Sequence, residues 1–179
     1  LEVGFLLLGL GASERGDWPE SVRWAEAGHR ADRGHLPLAL LLLQTLDWTS
    51  EVEAAAGRDG GALRRRAFEA GEEIRAVHGD DPDVCRALAT LHYHEGQAAE
   101  ARSADPGPPY EAALDALALS LQRAPGATDS LLMLGSVRQS LAERRAGRGE
   151  DPSGELNAAL EAFAGAAGIA GETCESASG

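Results

Sequence analysis

Several side chains in this sequence have the types that chemistry needs, and their spacing decides what each can do. His92 and His94 flank Tyr93, and Cys85 lies seven residues before His92. A metal site would need such donors to converge on one point. On a helix, residues i and i+2 point to different faces, so the two histidines cannot chelate one ion together. Cys85 and His92 share a face but stand two turns apart, too far for joint ligation. His29 and His35 flank a turn and read as surface or packing residues. Neither a metal nor a cofactor is expected.

Other candidates reduce in the same way. The acid pairs Glu72-Glu73 and Asp80-Asp81 fall near helix ends or turns, where solvated capping accounts for them. Arg64 to Arg66 could attract an acidic partner. As the polar side of a helix over 62–77, the run is better explained, with Arg65 and Glu69 as an i, i+4 pair. Gly9-Leu10-Gly11 lacks the third glycine and the preceding strand of a dinucleotide loop, and there is no Walker-type phosphate loop. No GxSxG elbow occurs. The chain is therefore expected to have no catalytic residue and not to be an enzyme.

Composition narrows the classes further. The 179 residues are 44% hydrophobic but only 4% aromatic, with alanine and leucine supplying most of the apolar matter. Both have high helix propensity, and β-branched residues are sparse, so an all-helical chain is expected. The net charge is −13 and the isoelectric point near 4.7. Such a surface repels phosphate backbones and anionic membranes, which argues against nucleic acid and membrane-surface partners. All positive charge is arginine, a bias of GC-rich genomes that carries no functional weight here. Cys85 and Cys174 have no disulfide or zinc spacing, and a reducing cytoplasm is the expected compartment. Leu1 to Leu10 has the hydrophobicity of a signal core but no basic n-region, and no 18-residue apolar stretch exists for membrane insertion. A chain that does not open on methionine is expected to be a fragment of something longer.

The elements that must position these residues repeat. Asp59, Asp105 and Asp151 lie 46 residues apart, and so do Ala67, Ala113 and Ala159. Leu42, Leu88 and Leu134 form a third such column, and Ala70, Ala116 and Ala162 a fourth. Four columns across three units indicate a structural repeat. Each unit reads as two helices about a loop. First helices are expected at 37–56, 83–101 and 129–146, and second helices at 62–77, 109–124 and 154–167. Gly57 to Gly61, Asp105 to Pro109 and Gly147 to Gly154 close the inner loops; Gly79–Pro82 and Pro125–Gly126 separate the units. Asp81–Pro82 and Asp151–Pro152 offer N-caps, as do Thr128 and Asp129. Residues 2–35 form a shorter unit with helices near 2–14 and 18–32, where Asp17 and Glu20 have capping-box spacing. Trp24 is expected between the first two hairpins, and Trp18, beside Pro19, partly exposed.

These columns resemble the tetratricopeptide repeat, a 34-residue pattern with Leu-Gly in its first helix and Ala-x3-Phe-x2-Ala in its second. Leu134-Gly135, Ala159, Phe163 and Ala166 match it in the last unit; Leu88-Ala89, Ala113, Leu117, Ser120 and Pro125 match in the unit before. Leu42, Ala67, Gly71 and Ile74 follow more loosely, and Phe5 and Leu8-Gly9 fall in register in the short unit. The long units carry twelve extra residues, 46 against 34, inside the hairpin. Leu46, His92 and Arg138 replace the expected tyrosine. The resemblance implies an α-solenoid of about four stacked antiparallel hairpins over residues 1–170, in units 2–35, 36–81, 82–127 and 128–173, with a disordered tail at 171–179. Extended hairpins ending like Gly149-Glu150-Asp151-Pro152 also resemble bacterial arrays attached to serine/threonine protein kinases.

In that family the first helices line a concave wall that binds protein segments. The matching stripe here is Gln44, Thr90 and Ser136, then Asp47, Tyr93 and Gln139, then Glu51, Gln97 and Glu143. Positions spaced i, i+3 and i+7 share one helix face. The resemblance implies a protein-interaction scaffold holding a protein or peptide partner of basic character. The alternatives are an accessory or regulatory region of a kinase, and a structural spacer with no ligand.

Overall fold

The computed structural model describes residues 2–176, with side chains for 3–169. Among the described residues there are eight α-helices and no strand. They are α1 (Glu2–Glu14), α2 (Trp18–Ala31), α3 (Leu36–Ala55), α4 (Gly61–His78), α5 (Pro82–Ala101), α6 (Gly107–Arg123), α7 (Thr128–Gly147) and α8 (Ser153–Ser176). The chain is all-α, as composition required. α8 runs beyond the expected 154–167, and residues 177–179 of the expected tail lie outside the described residues. None of the described helices is long and apolar enough to cross a membrane.

The 46-residue period is written into the backbone. The N–H groups of Gly57, Ser103 and Gly149 each donate to a carbonyl three residues back, at 2.9, 2.9 and 3.0 Å. The next residues, Arg58, Ala104 and Glu150, donate five residues back to Glu53, Ala99 and Arg145. These bonds satisfy the last carbonyls of α3, α5 and α7 in the Schellman manner. The turn requires a left-handed residue, and φ is +73°, +57° and +74° at Gly57, Ser103 and Gly149. Ser103 adopts this conformation despite its Cβ, at a cost of ~1 kcal/mol.

Two residues on, the three repeating aspartates show why they repeat. Asp59, Asp105 and Asp151 each accept a bond from the N–H two residues ahead: Gly61, Gly107 and Ser153, at 2.8, 3.1 and 2.9 Å. Those three residues open α4, α6 and α8. The side chain substitutes for the missing turn of helix and fixes where the chain reverses. Asp17 caps α2 by accepting from Glu20 N–H, and Asp81 caps α5 by accepting from Asp83 and Val84. Thr128 and Asp129 do not cap α7. Its cap is Ala127, with no side-chain bond, because the helix already includes both residues.

The chain divides into two compact units, residues 1–91 and 92–179, with the division inside α5. In the first, the apolar run of α3 is sheathed on most sides. Leu38, Leu42, Leu43 and Leu46 are buried with Ala25, Ala67, Ile74, Val84 and Leu88. Small residues let helices close together: a Cβ at Gly71 would sit 2.5 Å from Leu88 Cδ2. Trp24 packs on Phe5 of α1, with ring centroids 6.2 Å apart. Its indole N–H donates to Glu20 one turn earlier on α2. Trp18 is half-buried against Trp48 of α3, their centroids 5.9 Å apart.

In the second unit Tyr110, Ala113, Leu117, Val137, Ala142 and Ala159 form the interior. Tyr110 is wholly buried and lies in the notch left by Gly96. Ser120 and Ser130, both buried, share a 2.8 Å hydrogen bond between α6 and α7. The alanine column is structural in both units, since Ala67, Ala113 and Ala159 are all buried.

Candidate protein-binding faces

The structure sorts the nine stripe residues by what each is free to do. On α3, Gln44 is exposed but Asp47 is buried. Glu51 pairs with Arg64 of α4, a guanidinium that is only 4% exposed. The carboxylates at 47 and 51 therefore belong mainly to the hairpin's inside. Thr90 is half-buried and its hydroxyl donates to the Arg86 carbonyl, a bond internal to α5.

In the second unit the stripe is open. Tyr93 reaches Ser140 of α7, their hydroxyl oxygens 3.4 Å apart, and its ring lies 5.8 Å from that of Tyr110. This contact sets the C-terminal half of α5 beside α7. Gln97 is exposed one turn beyond Tyr93. On α7, Gln139 and Glu143 are exposed one turn apart, and the Gln139 amide donates to the Glu143 carboxylate at 2.9 Å. The Ser136 hydroxyl turns back to the Leu132 carbonyl. Tyr93, Gln97, Gln139 and Glu143 thus present an aromatic ring, two amides and one negative charge on neighbouring helices.

Two further features were not legible as motifs. A cleft of about 350 Å³ in the second unit is lined by Arg138, Arg144, Arg145 and Arg148, with Leu114 and Leu141. Arg138 and Arg145 share Glu155 at 2.8 and 3.4 Å, while Arg144 and Arg148 converge on Asp105. Glu111 and Glu150 also line the cleft. Four acids therefore balance four arginines, and the cleft acts as a cross-brace among α6, α7 and α8. These partners lie 10 to 43 positions apart, so no local pattern announces them.

The second feature is a groove of about 270 Å³ in the first unit, floored by Leu42, Leu46 and Ala70. Glu26 pairs with Arg66, and Arg33 with Glu73 at 3.8 Å, bridging α2 to α4 and the end of α2 to α4 across its rim. The arginine run thus contributes Arg64 to the interior and Arg66 to this bridge, not simply a polar helix side. His29 lines this groove and is only 6% exposed, and its Nδ1 has no hydrogen-bond partner. Burial, then the nearby Arg33 charge, holds its pKa below the ordinary 6.5; Glu73 opposes this and His78 reinforces it.

A histidine kept neutral in the fold binds fewer protons than in the unfolded chain. Stability is full above about pH 6.5 and falls as pH drops below that value toward the depressed folded pKa. Urea unfolding across pH 7 to 5 should show this decline, and His29→Gln should flatten it. An equal slope in the variant would assign the pH dependence elsewhere.

No family model matches the chain, and no curated protein matches it. Among solved structures it is similar to the crystal structure of MamA protein, over 97% of this chain and 94% of that one. Identity is 12% and the TM-score 0.34, a superposition too loose to carry an argument. The helical-hairpin architecture rests instead on this chain's own repeating turns and buried columns.

Proposed function

We propose that this chain is a non-catalytic helical-repeat scaffold of the tetratricopeptide kind that holds a protein segment against the polar face of its first helices. The observation that carries the reading is the face built by Tyr93, Gln97, Gln139 and Glu143. Four hydrogen-bonding side chains stand on two adjacent helices, and the Tyr93–Ser140 contact keeps those helices in place. Amides bind a peptide backbone irrespective of sequence, an aromatic ring adds contact area, and Glu143 selects positive charge. The net charge of −13 favours the encounter with a basic segment over long range. Gln44, Asp47, Glu51, Thr90 and Ser136 have smaller parts, because most are engaged within the hairpins.

A peptide array probed with the purified chain tests this. Peptides carrying arginine or lysine are expected to bind. The double variant Gln97→Arg/Glu143→Arg should lose most of that binding while keeping its helicity, since both side chains are exposed. Binding that survives the charge reversal would reject this face, and an array with no retained peptide would favour a spacer.

A further inference from the structure

We propose that the outward indole of Trp48, backed by Trp18 and flanked by Gln44 and Glu51, is a seat for an arginine side chain of a partner segment. The outward line of α3 runs through Trp48 rather than Asp47. Gln44 and Trp48 are exposed one turn apart, with Glu51 three residues on, while Asp47 is buried. Trp48 is 51% exposed although it carries the largest of side chains. The 46-residue register places His94 and Ser140 at the equivalent positions of the next two units. The repeat therefore folds with a polar residue there, and its packing does not demand an indole. Contact with Trp18, with centroids 5.9 Å apart and planes tilted by 56°, holds one side of the Trp48 ring and leaves the rest to solvent. An exposed tryptophan of this kind is what binding surfaces are enriched in.

The surroundings set what such a ring attracts. Helix α3 carries Asp47, Glu51 and Glu53 and no basic residue, and Asp17 precedes Trp18 at the start of α2. Residues 1–91 hold sixteen acids against ten arginines. The exposed arginines nearest in sequence are committed elsewhere, Arg15 and Arg23 to Glu20 at 3.5 and 3.2 Å and Arg58 to Glu53. The negative field and the π face both favour a cation. A guanidinium fits better than an ammonium, because its plane stacks on an indole while its fork still reaches a carboxylate. The chain shows the same pairing where Arg23 lies over Trp24 at 5.5 Å. The Glu51 carboxylate is a third exposed beside its bond to Arg64 and offers the acceptor; Gln44 offers an amide to the segment's backbone.

Indole N–H signals in NMR test this on the whole chain. Its three tryptophans give three reporters, assigned with Trp18→Phe, Trp24→Phe and Trp48→Phe. Titration with a short glycine peptide carrying one arginine should move the Trp48 and Trp18 signals to saturation. The Trp24 signal, tied to Glu20, should stay. The same peptide with citrulline, which keeps the shape and loses the charge, should bind about two- to fivefold more weakly, the scale of an exposed cation–π contact. Trp48→Gln should abolish the shift at Trp18, with circular dichroism unchanged because the residue is exposed. The seat is overturned by the absence of any saturable shift, by equal binding of the citrulline peptide, by equal movement of all three signals, or by a Trp18 shift that survives Trp48→Gln. The seat shares a basic partner with the α5–α7 face but none of its residues, so the shifts should persist in Gln97→Arg/Glu143→Arg. Their loss there would assign the arginine to that face and overturn this one.

Discussion

Gly96→Ala is expected to destabilise the protein, although alanine favours helix over glycine by about 1 kcal/mol. A Cβ at position 96 would lie against the Tyr110 ring, closer than real contacts allow, with ring carbons as its three nearest neighbours. Tyr110 has no room to retreat: it is wholly buried and packs on Tyr93. Overpacking of this kind costs ~1–3 kcal/mol and outweighs the gain in propensity. A lowered urea midpoint is therefore expected, and Tyr110→Ala should relieve the effect of the alanine, so the double variant falls short of the sum. Tyr110→Ala alone leaves a cavity and should cost about 3–5 kcal/mol. If Gly96→Ala were as stable as the parent, the notch would not be the reason for glycine there. Gly135 faces Phe163 in the same manner, but that ring is half-buried and can swing aside, so Gly135→Ala should cost less.

The second large effect concerns Arg64, whose guanidinium is buried and paired with Glu51 across the α3–α4 hairpin. Glu51→Ala removes one counter-charge from a buried cation. Breaking such pairs costs roughly 3–5 kcal/mol when no other partner remains. Arg64 keeps a further interaction, and the Glu51 carboxylate is a third exposed, so about 1–3 kcal/mol is expected. The double variant Glu51→Leu/Arg64→Met should recover much of that loss, because apolar side chains of similar size need no partner. Urea unfolding of Glu51→Leu, Arg64→Met and the double variant forms a double-mutant cycle; no coupling between the two sites would mean the ion pair is not what holds Arg64 inside.

The helices were legible because they follow from local rules. Asp17, Asp59, Asp81 and Asp151 cap or turn the chain with their own side chains, and a bond spanning two or three residues leaves a mark at fixed spacing. The failures also have local causes. Thr128 has a cap's residue type but lies inside the helix, since Ala127 adopts the extended cap conformation without a side-chain bond. Arg64 has the charge of a solvent-facing residue, and nothing near it in sequence reveals that its partner Glu51 lies 13 positions earlier.

The amino-acid sequence by itself determined an all-helical chain, its 46-residue period and the buried alanine column, because propensity, capping and small-residue packing act over a few residues and repeat with the chain. Only the tertiary structure decided which polar residues are available. Asp47 is buried and Glu51 is tied to Arg64 while Gln97, Gln139 and Glu143 stay outside, and the arginines at 138–148 are paired with acids from a neighbouring loop and helix. The physical reason is that burial and ion pairing depend on which helix lies opposite. That neighbour is set by packing between elements far apart along the chain.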